Sequence, residues 1–208
     1  EPCSFEILIQ IIHESRSLKE SRNIDDSVLT ISSLKKILVN QYSQLLEKNK
    51  EPTFLTKLIM LFQNEKKSMA SIKLLKKNNI TIDEFILSEN YYLTSIDFFL
   101  LSMYFNIQLL LLTLSSHDDD KKSITITNKN TSNSYSIIRI SGLTSRTGYT
   151  KYSLLGYKKL RESVFVFDYE EFPKNTQEII TNNKKYEPHT ILLNMINSQK
   201  LPKSRGKK

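Results

Sequence analysis

Cys3 is the residue best suited to covalent chemistry. It is the chain's one thiol, and it stands directly before Ser4–Glu14, whose apolar residues are spaced as on a helix. A thiol at a helix N-terminus meets the positive end of the helix dipole, which lowers its pKa and enlarges the nucleophilic thiolate fraction. A cysteine hydrolase also needs a general base, usually an imidazole oriented by a third polar group. The chain offers three histidines, His13, His117 and His189, scattered without metal-ligand spacing. The competing reading of Cys3 is a small packed residue.

Other chemistries find less support. One cysteine excludes an intrachain disulfide or a thiolate zinc cluster, and fits a reducing compartment, the cytosol. Asp118-Asp119-Asp120 lacks the spaced ligands and closing Glu of a calcium loop and reads as a solvated turn; Asp25-Asp26 reads as a helix-cap pair. No Gly-rich phosphate loop, dinucleotide fingerprint or nucleophile elbow occurs. No metal and no cofactor is expected.

The composition, 39% hydrophobic and 25% charged over 208 residues, is that of an ordinary globular chain with ample core. No apolar run is long enough to cross a bilayer, and no signal peptide is visible, so no membrane partner is expected. The net charge is +8, and Lys200, Lys203, Arg205, Lys207 and Lys208 supply five of it in the last nine residues. Such a tail reads as a solvated end, with nucleic-acid or anionic-lipid binding by counterion release as the alternative. Lys66, Lys67, Lys73, Lys76 and Lys77 likewise read as a solvated helix face, with a groove-facing basic stripe as the alternative. Tyr91, Tyr92, Tyr149, Tyr152 and Tyr157 could stack on bases. Packing against a sheet with hydroxyls reaching water is the plainer expectation.

The elements that must position Cys3 follow from periodicity. Helices are expected over Ser4–Glu14, from Ser32 or Ser33 to about Glu47, and from Pro52, with an extension through Met69, Ile72 and Leu75. Ser88–Leu114 joins a buried helix, capped by Thr94 or Ser95 with Asp97 in its first turn, to an aliphatic strand, Ile107–Leu114, covered on both faces. Only a strip near Ser102 is expected to face water. Ser123–Thr127 and Ser134–Ile140 read as a hairpin joined by Asn128–Asn133, Lys151–Leu155 as a short strand and Ser163–Asp168 as the last strand. Ser141–Tyr149 reads as an exposed loop, and two short helices follow Pro173 and Pro188.

Three pieces in this order, CSFEILIQII, TISSLKKILVNQY and SENYYLTSIDFFLLSMYFNIQLLLL, resemble the ovarian-tumour (OTU) type cysteine proteases. The closer resemblance is to OTU-like modules in large proteins of nucleocytoplasmic large DNA viruses. It covers most of the chain to about Asp168. It implies Cys3 as the nucleophile and a base histidine at the end of a late strand. The matching stretch, SVFVFDYEEF, carries Asp168 and Tyr169 and no histidine, and Glu1-Pro2 stands where active members have Asp-Gly. His189 and His117 could serve as the base only by an unusual arrangement.

The expectation is therefore an α+β fold: a central, mostly antiparallel sheet of about five strands packed between helices, OTU-like. Residues 1–199 are expected to form one domain and 200–208 a basic tail. The chain reads as a piece of a longer polypeptide. The leading function is a degenerate, catalytically inactive OTU-like domain acting as a structural or protein-interaction module of a larger viral protein, in the host cytoplasm or the virion. Its partners would be a protein, ubiquitin or a ubiquitin-like protein among the candidates, and other parts of its parent, with Gly142–Gly148 and the terminal helices as contact surfaces. The alternatives are an active deubiquitinase-like cysteine protease with Cys3 as nucleophile, and a basic nucleic-acid-associated accessory domain.

Overall fold

The computed structural model describes residues 4–17, 29–65, 70–114, 122–127, 134–141, 151–159, 162–183 and 187–199. The fold is α+β. Six helices come first: α1 (Ser4–Ser17), α2 (Ile31–Lys48), α3 (Pro52–Glu65), α4 (Ala70–Lys76), α5 (Ile82–Leu87) and α6 (Ser95–Phe105). The strands β1 (Leu109–Leu114), β2 (Lys122–Ile126), β3 (Ser134–Ser141), β4 (Lys151–Leu155), β5 (Tyr157–Lys159), β6 (Glu162–Val164) and β7 (Phe167–Asp168) follow. A 3₁₀ turn, Tyr169–Glu171, leads to α7 (Lys174–Asn183) and α8 (Pro188–Asn197).

The central helix forms as its sequence demands. Thr94 accepts from the Asp97 N–H and Asp97 returns to the Thr94 N–H, a capping box that satisfies orphan donors at both positions. Ile96 through Ser102 are all buried. The helix ends at Asn106, in the left-handed region at φ 56°, where Asn is one of the few non-glycine residues tolerated. The Ile107 N–H then reaches back to the Ser102 carbonyl at 3.0 Å, closing the last turn. Ser102 does not face water as expected: its hydroxyl donates to the Phe99 carbonyl at 2.7 Å, and the exposed position is Tyr104.

The sheet is mixed, in the order β2-β1-β3-β4, with β7 also pairing β3. The pairs β1–β2, β3–β4 and β3–β7 are antiparallel, whereas β1–β3 is parallel. The expected β2–β3 hairpin is thus replaced. The chain returns from β1 as β2 on one side, then crosses to lay β3 on the other. The aliphatic β1 needs apolar cover on both faces, and this central place supplies it. Leu109 and Leu111 join Ile138 and the helices in the main core. Leu110, on the opposite face, packs with Ile126, Tyr135, Phe172 and Ile180 beneath α7.

The expected last strand is divided. Ser163 and Val164 belong to β6, which among the described residues pairs with β5, while Phe167 and Asp168 pair with the start of β3. β4 and β7 therefore lie along one edge of β3, and the β5–β6 hairpin projects between them. Gly156 sits at its neck: a Cβ there would lie 2.4 Å from the Phe165 ring and 2.7 Å from the Val164 carbonyl oxygen.

The helical block fills the other side. A chain of rings, Phe5–Tyr91–Phe85–Phe62–Tyr42, runs through it with centroids 5.3 to 6.4 Å apart. The box at α2 uses Thr30 and Ser33 where Ser32 or Ser33 was expected to open the helix. The expected extension of α3 is a separate helix, α4, and α5 is additional. α8 contributes Leu192 and Ile196 to the core, against α3 and α6.

Candidate functional site

The start of α1 is the place where a nucleophile was expected. Cys3 itself lies outside the described residues, as do His117, Gly142–Gly148 and the cations from Lys200 onward. Ser4 is described and buried, and its hydroxyl oxygen accepts from the Leu93 N–H at 2.8 Å. Phe5 packs at a tilt against Tyr91, and the ammonium of Lys35 lies 5.8 Å from the Phe5 ring centroid while donating to the Ser88 carbonyl at 2.7 Å. The first turn of α1 is thereby lodged against residues 88–93, just ahead of α6.

That segment is fixed by a buried carboxylate. Asp97 has no exposed surface, and its Oδ1 accepts from the Tyr42 hydroxyl at 2.6 Å and the Tyr91 hydroxyl at 2.9 Å. Its Oδ2 accepts from the Thr94 N–H at 2.6 Å and the Thr94 hydroxyl at 2.9 Å. A buried charge is tolerated when every lone pair has a donor, and bonds to an ionised acceptor are the strong ones. Burial first, and the Asp97 carboxylate second, push the Tyr42 phenol well above its ordinary pKa. The same two causes in the same order raise Tyr91.

A second carboxylate reaches the same helix end from outside. Glu65, the last residue of α3, accepts from the Ser95 N–H at 2.8 Å and from the Ser95 hydroxyl in a short bond. It also accepts from the Tyr152 hydroxyl at 3.2 Å, and its backbone carbonyl takes the Tyr92 hydroxyl at 3.1 Å. Burial, then the Glu65 charge, raises the Tyr152 phenol well above its usual value. Two carboxylates thus meet the N-terminus of α6, where the dipole favours negative charge, and tie α2, α3, α6 and β4 together.

This network is saturated, so neither carboxylate is arranged to abstract a proton. It acts as a lock that sets segment 91–94, and through Leu93 the entry to α1. Of the imidazoles, His13 is exposed, nine residues along α1 from Ser4, a helical rise of about 14 Å. His189 is exposed in the first turn of α8. At the end of the late strand, Asp168 accepts from the Ser134 hydroxyl at 3.0 Å, and Tyr169 donates to the Gln177 carbonyl at 3.2 Å.

The tyrosines expected to send hydroxyls to water do otherwise. Tyr91 directs its hydroxyl to the Asp97 carboxylate, Tyr92 to the Glu65 backbone carbonyl and Tyr152 to the Glu65 carboxylate. Tyr157 donates to Glu171 at 3.0 Å, and Tyr149 lies outside the described residues. The Tyr42–Asp97 link escaped the sequence reading. Its one signal was a tyrosine inside the apolar stripe of α2, whose hydroxyl requires a partner once buried. Among the described residues no group of three or more His, Cys, Asp or Glu side chains could hold a metal ion. No described helix is long and apolar enough to cross a membrane. Comparison with family models, curated proteins and solved structures finds no match to this chain.

Proposed function

We propose that the chain is a degenerate OTU-like domain, catalytically inactive, serving as a structural or protein-interaction module within a larger viral protein in the host cytoplasm or the virion. The observation that carries the reading is the occupancy of the late strand's end. Where the resemblance implies a base histidine stand Asp168 and Tyr169, both committed to neighbours within the fold. The Asp97 and Glu65 carboxylates add a second support: both groups at the N-terminus of α6 are committed to hydrogen bonds within the fold. Such a scaffold suits a partner surface, with ubiquitin or a ubiquitin-like protein as the partner the resemblance implies.

The alternative, an active cysteine protease, requires Cys3 to lose its proton to His189 or His117. Incubation with a ubiquitin-derived electrophilic probe separates the two. The inactive module is expected to give no adduct under conditions that label a known deubiquitinase, while a binding assay with unmodified ubiquitin tests the interaction on its own. An adduct at Cys3 that is lost in Cys3→Ala would overturn the proposal.

A further inference from the structure

Just beyond the late strand, the 3₁₀ turn Tyr169–Glu171 and α7 border an open cleft of about 400 Å³, lined by Tyr169, Lys174, Gln177, Glu178, Thr181 and Asn182. Its size falls within the range of ligand pockets, about 300–1,000 Å³. One wall is fixed. The Tyr169 hydroxyl donates to the Gln177 carbonyl at 3.2 Å and lies 2.9 Å from the Thr181 hydroxyl, which donates to the same carbonyl at 2.9 Å. The Gln177 side-chain amide returns to the Phe172 carbonyl at 2.8 Å, and Phe172 is buried against Tyr135 and Phe167. These bonds staple the turn to α7, so the wall is formed before any ligand arrives.

The rim is a row of exposed polar side chains. Lys174, Glu178 and Asn182 follow at intervals of four on α7, which sets neighbours on one face about 6 Å apart along the axis. The row does little for the helix itself. A lysine in the first turn opposes the dipole, and lysine one turn before glutamate is the poorer order of that pair. The local charge also runs against that of the chain. Residues 168–182 hold four acids and Lys174 as their one base, a formal −3, so the other residues sum to +11.

We infer that this cleft receives an extended segment of a partner protein carrying an arginine and, two residues away, a carboxylate. The guanidinium lies against the Tyr169 ring and pairs with Glu178, a combination of stacking and forked bonding that lysine does not reproduce. In an extended chain, side chains two residues apart share a side and stand about 6.6 Å apart. That matches the spacing from Glu178 back to Lys174, so the partner's carboxylate meets the Lys174 ammonium. Nucleic acid and anionic lipid are repelled by the same acidic segment. The inference rests on the protein-interaction reading above and names the segment bound; it does not require the partner to be ubiquitin.

The test is a heteronuclear NMR titration of the full chain with two blocked peptides, Gly-Arg-Ser-Glu-Gly and Gly-Glu-Ser-Arg-Gly, which offer both chain directions. At least one should shift the amides of residues 169–182, and citrulline in place of arginine should remove the effect. Glu178→Gln should weaken binding about fivefold, the upper range for an exposed ion pair, while Glu89→Gln, which removes an exposed acid outside the cleft, should leave it unchanged. Lys174→Glu should invert the preference, so that a second arginine in place of the peptide's glutamate binds better. Both rim positions are exposed, and the amide spectrum of each variant reports directly that the fold is kept. The inference is overturned if neither peptide shifts residues 169–182, if Glu178→Gln binds as the parent does, or if Lys174→Glu leaves the preference unaltered. Ubiquitin titrated against the same samples separates the two proposals. Ubiquitin binding without peptide binding overturns the cleft alone, whereas peptide binding alongside an electrophilic-probe adduct at Cys3 overturns the inactive-module reading and supports the cleft.

Discussion

Tyr42→Phe isolates the lock on α6 with minimal disturbance of packing. The substitution removes one oxygen, which donates to Asp97 Oδ1 at 2.6 Å between fully buried groups, and keeps the ring against Phe62. A hydrogen bond to a charged acceptor contributes about 1.5–3 kcal/mol net, and Asp97 retains its Tyr91 and Thr94 donors, so a loss of about 2 kcal/mol is expected. For a chain of this size that is roughly 4–8 °C in Tm. Urea unfolding followed by circular dichroism measures it, with the m-value unchanged. Asp97→Ala should cost more, about 4 kcal/mol, because it strands two buried hydroxyls and removes a cap. In that background Tyr42→Phe should become neutral or stabilising, since it deletes an orphaned donor. A Tyr42→Phe loss below about 0.5 kcal/mol, or equal costs in both backgrounds, would refute the reasoning.

Three further outcomes are expected. Tyr42, Tyr91 and Tyr152 are held neutral by burial and by Asp97 or Glu65, so their folded pKa values lie above those of the unfolded chain. Their stabilising contribution is therefore complete below about pH 10 and is lost as pH rises further; absorbance of tyrosinate should show three phenols that ionise only with unfolding. Gly156→Ala should destabilise by about 1–3 kcal/mol, because its Cβ would lie 2.4 Å from the Phe165 ring, and a chemical melt would record it. Asn106→Ala should cost about 1 kcal/mol at φ 56° while Asn106→Gly is neutral or stabilising, again by equilibrium unfolding.

What the sequence disclosed divides along physical lines. Local signals were readable: a cap at Thr94 or Ser95, of which the structure uses Thr94, the two-sided burial of β1, and the helices after Pro173 and Pro188 all depend on neighbours in the chain. Pairing was not, because nothing in Ser123–Thr127 or Ser134–Ile140 states which side of β1 each will take. The division of SVFVFD depends on a close approach at Gly156 that only the folded neck reveals. α5 is too short for periodicity, although Thr81 and Glu84 form its capping box. Lys35 is only 8% exposed, its stem covered while its head finds the Ser88 carbonyl, a placement no local pattern announces. Of the candidate site, the thiol and the missing late-strand histidine were legible; the Tyr42–Asp97 and Glu65–Ser95 links span distances in sequence that no local pattern encodes.

The divided edge of β3 has an engineering consequence. Leu155 opposes Ile137 and Phe167 opposes Tyr135, so ten more residues lie between them than an unbroken strand would hold. An even number leaves the in-and-out alternation of side chains intact on either side of the excursion. The segment is therefore a cassette: a graft that adds or removes an even number of residues between Leu155 and Phe167, bearing a reporter epitope or a shortened turn, would leave the strand in phase, whereas an odd change would turn Phe167 to the other face.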